Sequence, residues 1–100
     1  MFDIFSKFGE IKDKAMKAKE ELETKEFSVS DSKNTVIVKS NGKKDILSIE
    51  LQAGFSNLSF EEQQIAVNEA TKKALSESQN YFLSVVKNVV PNIPGLNIFG

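Results

Sequence analysis

Thirteen lysines are the residues of this chain best suited to chemistry, because it contains no histidine, cysteine or arginine. The absence of histidine and cysteine removes the commonest general base, the best nucleophile and the usual zinc ligands. Serine, threonine and carboxylate side chains remain without a group to activate them, and neither a D-x-D-x-D-G loop nor a glycine-rich phosphate loop is present. The sequence therefore predicts a protein that is not an enzyme and uses no catalytic residue, metal or cofactor.

Four lysines close together form the first candidate binding site: Lys12, Lys14, Lys17 and Lys19. Lysine neutralises phosphate as a point charge, which gives an affinity that depends on salt and hardly on sequence. The commoner meaning of such a run is a solvated helix face with i,i+4 ion pairs, such as Glu10–Lys14 and Asp13–Lys17. From the residues alone, both interpretations stay open.

A second group of lysines surrounds a predicted hairpin: Lys33, Lys39, Lys43 and Lys44. Lys43 and Lys44 flank the turn, where charge also protects strand edges from unwanted pairing. Lys72 and Lys73 form an adjacent pair farther along the chain. Fourteen acidic residues leave a net charge of −1, so no global field attracts the protein to nucleic acid.

Three stretches of regular hydrophobic spacing must position these lysines. Residues 1–25 predict a helix, because one apolar residue recurs every three or four positions, at Ile4, Phe8, Ile11, Ala15, Ala18 and Leu22. Residues 26–51 alternate with period two and predict three antiparallel strands. Asn41-Gly42 predicts a type I′ hairpin between the second and third strands, and Leu47, Ile49 and Leu51 share one face of the third.

A long second helix is predicted for residues 59–90. It begins at the capping box Ser59-Phe60-Glu61-Glu62 and contains neither glycine nor proline. At about 45 Å it is longer than strands of about 17–20 Å can cover, so part of it must project or pair with another chain. Residues 91–100 form an apolar tail, which we expect to pack with the apolar N-terminus or with a dimer partner.

These elements predict one α+β domain spanning residues 1–100. No apolar run approaches the length of about 18–20 residues that crosses a membrane, and no apolar leader follows a basic start. The absence of cysteine fits a reducing compartment. We therefore expect a cytoplasmic protein without a membrane partner.

The order of these parts resembles the YbaB/EbfC family of bacterial nucleoid-associated proteins. Four short segments carry the resemblance, together with the Pro94-Gly95-Leu96 tail and its Phe99. They are Glu20-Glu21-Leu22, Val36-Ile37-Val38 followed by Asn41-Gly42, Ser48-Ile49-Glu50, and Ala66-Val67-Asn68-Glu69-Ala70-Thr71-Lys72-Lys73. The resemblance extends over nearly the whole chain in order and spacing.

The resemblance implies a tweezer-shaped homodimer whose helices surround duplex DNA, contact the phosphate backbone with little sequence specificity, and act at the nucleoid in chromosome organisation and gene regulation. The DNA-binding residues would be Lys12, Lys14, Lys17, Lys19, Lys43, Lys44, Lys72 and Lys73. The dimer interface would include Ile11, Ala15, Ala18, Leu22, Tyr81, Phe82 and Val85. The alternative is a dimeric protein-interaction module of the same fold that binds DNA weakly or not at all. No small-molecule substrate is expected in either case.

Overall fold

The computed structural model describes residues 2–89, and the side chains from residue 9 onward, as an α+β fold in the predicted order. Helix α1 (Phe2–Thr24) is followed by strands β1 (Glu26–Ser30), β2 (Val36–Asn41) and β3 (Ile46–Leu51), a 3-10 helix (Ala53–Asn57) and the long helix α2 (Phe60–Val89). The predicted apolar tail, residues 91–100, lies outside the described residues.

The main core lies between α2 and the first two strands of the antiparallel sheet, whose order is β1-β2-β3. Val36 and Val38 of β2 are fully buried, and they pack against three alanines spaced four residues apart on α2, Ala66, Ala70 and Ala74. Because alanine is small, the helix axis can approach the sheet closely. This contact fixes the orientation of α2 relative to the strands.

Strand β3 lies at the sheet edge, and α2 packs on β1 and β2 instead. Ile49 pairs with Val38 and Leu51 with Val36, so these two side chains point to the same face as the core valines. A register shift at Lys39/Ser40 pairs Ile46 with Ser40. Ile46 therefore shares that face, whereas strict alternation back from Ile49 would put it on the opposite face; alternation alone cannot anticipate an inserted residue.

A second, smaller core joins α1 to the C-terminal half of α2. Ala18, Leu22 and Val85 are buried there, with Tyr81 and Phe82 packed beside them. The part of α2 that extends beyond the sheet is thus covered in part by the chain's own N-terminal helix. The resulting molecule is elongated, measuring 67 × 26 × 13 Å.

The β2–β3 turn differs from the predicted type I′ hairpin. The Lys44 amide donates to the Asn41 carbonyl at 3.1 Å, and the left-handed residue is Lys44, at φ 72°. Gly42 itself has no positive φ, so the turn does not need glycine for its backbone conformation. Glycine is needed there because a side chain would not fit. A Cβ at this position would lie 2.9 Å from the Leu22 carbonyl oxygen and 2.9 Å from Cδ1 of Tyr81, so glycine allows the turn to touch α1 and α2.

Candidate nucleic-acid interface

The four lysines of α1 are exposed, but helical geometry divides them between two flanks. Lys12 and Lys19 are seven residues apart, or about two turns, and lie one above the other. Lys14 and Lys17 are one turn apart on a flank about 180° away. The buried Ala18 lies between the two pairs. The cluster seen in the sequence is therefore two pairs of lysines, and not one patch.

Acidic neighbours distinguish the two flanks. Lys14 has Glu10 four residues before it, and Lys17 lies between Asp13 and Glu21 at the same spacing, so opposite charges stand beside both lysines. Lys12 has no acidic residue three or four positions away in either direction. The Lys14–Lys17 flank is therefore close to neutral, whereas the other flank keeps an excess of positive charge.

The Lys12–Lys19 flank continues onto the β2–β3 turn. Lys19 and Lys43 line the same cleft between α1 and α2, and the Lys44 ammonium lies 4.6 Å from the centre of the Phe82 ring. Lys43 Nζ is 3.9 Å from Oε1 of Glu23. Glu23 follows Lys19 by four residues and is therefore the acidic residue on the same flank of α1. We refer to this surface as the basic strip, which consists of Lys12, Lys19, Lys43 and Lys44.

Lys72 and Lys73 lie elsewhere, on the half of α2 that packs against the sheet. Lys73 Nζ is 3.1 Å from a Glu69 carboxylate oxygen and 3.3 Å from the Ser30 carbonyl oxygen. Lys72 is exposed. Nine residues of helix, about 14 Å, separate Lys73 from Phe82. The structure therefore does not join this pair to the basic strip.

Lys33 and Lys39 are engaged in ion pairs on the sheet side. Lys33 Nζ is 2.8 Å from Glu62, and Lys39 Nζ is 3.4 Å from Glu50. The hydrogen bond from Lys33, with those from Ser59, lowers the pKa of Glu62 to about 2, and the same bond to Glu62 raises the pKa of Lys33. Both bonds of the predicted Ser59–Glu62 capping box are present, each at 3.2 Å.

Two further carboxylates hold the β1–β2 loop. Asp31 is buried and accepts hydrogen bonds from the Thr35 amide at 2.6 Å, the Thr35 hydroxyl at 2.7 Å and the Val36 amide at 2.8 Å. Burial alone raises the pKa of Asp31, but these bonds outweigh it and the net pKa is lowered. Glu69 accepts hydrogen bonds from the amide and the hydroxyl of Ser32. The bond from the Ser32 amide, together with the bond from Lys73, lowers the pKa of Glu69.

These pKa shifts predict a loss of stability in acid. The folded chain holds Asp31, Glu62 and Glu69 at lower pKa values than the unfolded chain, so as the pH falls the unfolded chain binds protons first and the free energy of unfolding decreases. The decrease should begin near the ordinary values, 3.8 for aspartate and 4.5 for glutamate. Urea titrations at pH 5 and pH ~2.5 measure it, and we expect a clearly lower midpoint in acid. Asp31→Asn should show a smaller difference between the two conditions; an equal difference would contradict the role of Asp31.

The residues expected at a dimer interface fall into two groups. Ala18, Leu22 and Val85 are buried within the chain, with Tyr81 and Phe82 half-buried against them. Ile11 and Ala15 are exposed. The first group thus already has partners within its own chain, and only the second lies open to another molecule.

The most exposed apolar residues of the sheet lie on β3. Ile49 is 48% exposed and Leu51 is 57% exposed, with Ile46 and Leu47 beside them. The outer edge of β3 also has no neighbouring strand within the described residues. Their alternation was visible in the sequence, but the sequence could not show that α2 leaves them uncovered.

The described part of the chain contains neither a metal-binding cluster nor a helix that could span a membrane. No group of three or more acidic residues there is placed to hold a metal ion. Neither helix, within the same range, is long and apolar enough to cross a membrane.

Comparison with known proteins agrees with the order of elements. The chain matches the model of the YbaB/EbfC DNA-binding family over residues 1–92, which is nearly its full length. No curated protein matches it.

Proposed function

The chain belongs to the YbaB/EbfC DNA-binding family, a nucleoid-associated family, and from this premise we propose that it binds duplex DNA through the phosphate backbone at the nucleoid and contributes to chromosome organisation and gene regulation. The family match over residues 1–92 is the observation that carries this proposal. The exposed lysines of α1 and the β2–β3 turn supply the chemistry.

All basic residues of the chain are lysines, and this determines what kind of DNA binding we propose. Lysine neutralises a phosphate but lacks the planar fork with which arginine contacts guanine through two hydrogen bonds. Affinity should therefore be sensitive to salt and nearly independent of DNA sequence. The net charge of −1 also argues for weak binding.

Fluorescence anisotropy of a labelled duplex tests the proposal most directly. We expect binding at ~50 mM salt, with an affinity that falls linearly with salt on logarithmic axes, and similar values for unrelated duplexes. No change in anisotropy at that salt concentration, with a protein shown to be folded, would contradict it. The result would then favour the alternative, a protein-interaction module of this fold, which the net negative charge and the exposed apolar residues of β3 support.

We also propose that the functional unit is a homodimer formed through β3. Across a two-fold axis, β3 of one copy can lie against β3 of the other. The contact would join the outer strand edges and the exposed side chains of Ile46, Ile49 and Leu51. Burial of this apolar surface would stabilise the pair, and pairing of the free edges would satisfy their backbone groups. Ile11 and Ala15 of α1 remain available for an additional contact.

A charge at β3 should weaken this dimer. Leu51→Lys removes about 1.5 kcal/mol or more of apolar burial per copy, so we expect the dissociation constant of the dimer to rise at least about tenfold. Light scattering after size exclusion measures the mass as the protein is diluted. Ile65→Lys is the control, because Ile65 is 65% exposed but lies on the other side of α2, near Ser32 and Lys33. Equal dilution behaviour of the two variants would rule out the β3 interface.

A further inference from the structure

An acidic residue, Glu23, lies beside the lysines of the basic strip. It follows Lys19 by about one helical turn on the same flank of α1, and its Oε1 is 3.9 Å from Lys43 Nζ on the β2–β3 turn. Among the ion pairs in the described part of the chain, this is the one that includes a lysine of the strip. A carboxylate is therefore close to both the α1 lysines and the turn lysines.

The stability of the fold does not explain a carboxylate at this position. The side chain of Glu23 is 43% exposed and that of Lys43 is 46% exposed, and an exposed ion pair contributes little to folding. Glu23 is also the next-to-last residue of α1, where the negative end of the helix dipole disfavours an acidic side chain. The effect of Glu23 on the neighbouring lysines is the remaining reason to consider.

We infer that Glu23 limits the affinity of the basic strip for phosphate groups. A phosphate that approaches Lys19 or Lys43 also approaches the Glu23 carboxylate, and like charges repel at such short distances even when water surrounds them. The phosphate must in addition displace Glu23 from Lys43. This inference rests on the proposed function, because it names the residue that weakens the DNA contact of the same site.

The other acidic residue near the turn has a different partner. An oxygen of the Asp45 carboxylate accepts a hydrogen bond from the Asn41 side-chain amide at 3.2 Å, whereas Lys44 lies against the Phe82 ring. Lys12 has no acidic residue one turn away. Glu23 thus acts mainly on Lys19 and Lys43, and its removal should restore up to about one phosphate contact per chain.

Glu23→Gln and Glu61→Gln form a matched pair of variants for the test. Each changes the net charge from −1 to zero, but Glu61 is an exposed residue at the start of α2. About 31 Å of helix separates it from Phe82, which is well beyond the screening length at ~50 mM salt. Glutamine is a good helix former, so circular dichroism should show both variants folded, with a melting temperature for Glu23→Gln no lower than that of the original protein.

Elution from phosphocellulose, a column of immobilised phosphate groups, decides the inference without DNA. We expect Glu23→Gln to elute at a clearly higher salt concentration than Glu61→Gln. Elution of the two variants at the same salt concentration would mean that only the net charge matters and would overturn the inference. Earlier elution of Glu23→Gln would also overturn it, because Glu23 would then be holding Lys43 in position for phosphate.

Fluorescence anisotropy with duplex DNA gives the second measurement. At ~50 mM salt we expect Glu23→Gln to bind about tenfold more tightly than the original protein, with a salt slope steeper by about one unit per chain, and Glu61→Gln to change little. If the column separates the variants but none of them binds the duplex, the proposed function fails while the role of Glu23 at the basic strip is supported. If all of them bind the duplex equally well, the role of Glu23 is refuted and the proposed function stands.

Discussion

Replacing Lys12 and Lys19 together by glutamine should lower the affinity for duplex DNA by roughly 100-fold or more at ~50 mM salt. Each phosphate contact contributes close to one unit to the slope of log affinity against log salt, and about one decade of affinity at this salt concentration. Two contacts are lost per chain, and four if two chains act on one duplex. The slope should therefore decrease by about 2 to 4 units.

The other flank of α1 supplies a matched control. Lys14→Gln with Lys17→Gln changes the net charge by the same amount on the same helix, but it removes lysines that already have Glu10, Asp13 and Glu21 beside them. We expect this variant to keep most of its affinity and its salt slope. Equal losses in the two double variants would mean that overall charge, and not the basic strip, controls binding.

Both variants must remain folded for the comparison to be valid. The four lysines are exposed, and glutamine is a good helix former, so the far-ultraviolet circular dichroism and the melting temperature should hardly change. Titrations with two duplexes of unrelated sequence complete the test. The original protein should bind both duplexes equally. If it prefers one of them, and the preference is lost when Lys12 and Lys19 are replaced, then these lysines contact more than the phosphate backbone.

The order of elements was predictable because each depends on local spacing. The period of three to four residues in α1, the alternation around Val36 and Val38, and the Ser59–Glu62 capping box all act over a few residues, and the structure confirms them. The division of the α1 lysines into two flanks was also implicit in their spacing. Counting seven residues from Lys12 to Lys19 is enough to place them together.

Other features depend on contacts between distant segments. The apolar seam at Ala18 and Leu22 predicts a partner helix, but spacing cannot say whether that helix belongs to the same chain; the structure places these residues against Val85 of the same chain. The exposure of Ile49 and Leu51 likewise depends on where α2 crosses the sheet. Lys72 and Lys73 are adjacent in the sequence and were expected to act together, yet the fold holds Lys73 beside Glu69.

Gly42 is the strongest example, and it leads to the second prediction. In the sequence, Asn41-Gly42 indicates a turn that needs positive φ, yet the structure uses the missing side chain of Gly42 and not its conformational freedom. The Gly42 amide donates to the Lys25 carbonyl at 3.0 Å, which holds the turn against the end of α1. A residue with a side chain would disturb this junction even if the turn itself could form.

We expect Gly42→Ala to lower the free energy of unfolding by about 2–3 kcal/mol, in the upper part of the range for overpacked sites, and the melting temperature by roughly 10–20 °C for a domain of this size. The new Cβ would lie 2.9 Å from the ring of Tyr81 and 2.9 Å from the carbonyl oxygen of Leu22. The ring can rotate away, but the carbonyl belongs to the backbone, so α1 or the turn must move. Compared with the original protein, the variant should therefore show a larger increase in amide hydrogen exchange at the end of α1 than in the sheet.

Gly54→Ala is the control for this substitution. A Cβ at Gly54 would meet Cγ2 of Thr35 at 3.6 Å, an ordinary van der Waals distance, so its stability should stay within about 0.5 kcal/mol of the original protein or rise slightly. If the Gly42→Ala variant has the same melting temperature as the Gly54→Ala variant, the turn is not packed tightly against α1.

The Gly42→Ala variant also tests whether the junction between α1 and the turn positions the basic strip. Its DNA affinity should be measured at a temperature where it remains folded. Because Lys12 and Lys19 lie on α1 and Lys43 and Lys44 on the turn, a shift of one against the other should weaken binding beyond the effect of stability alone.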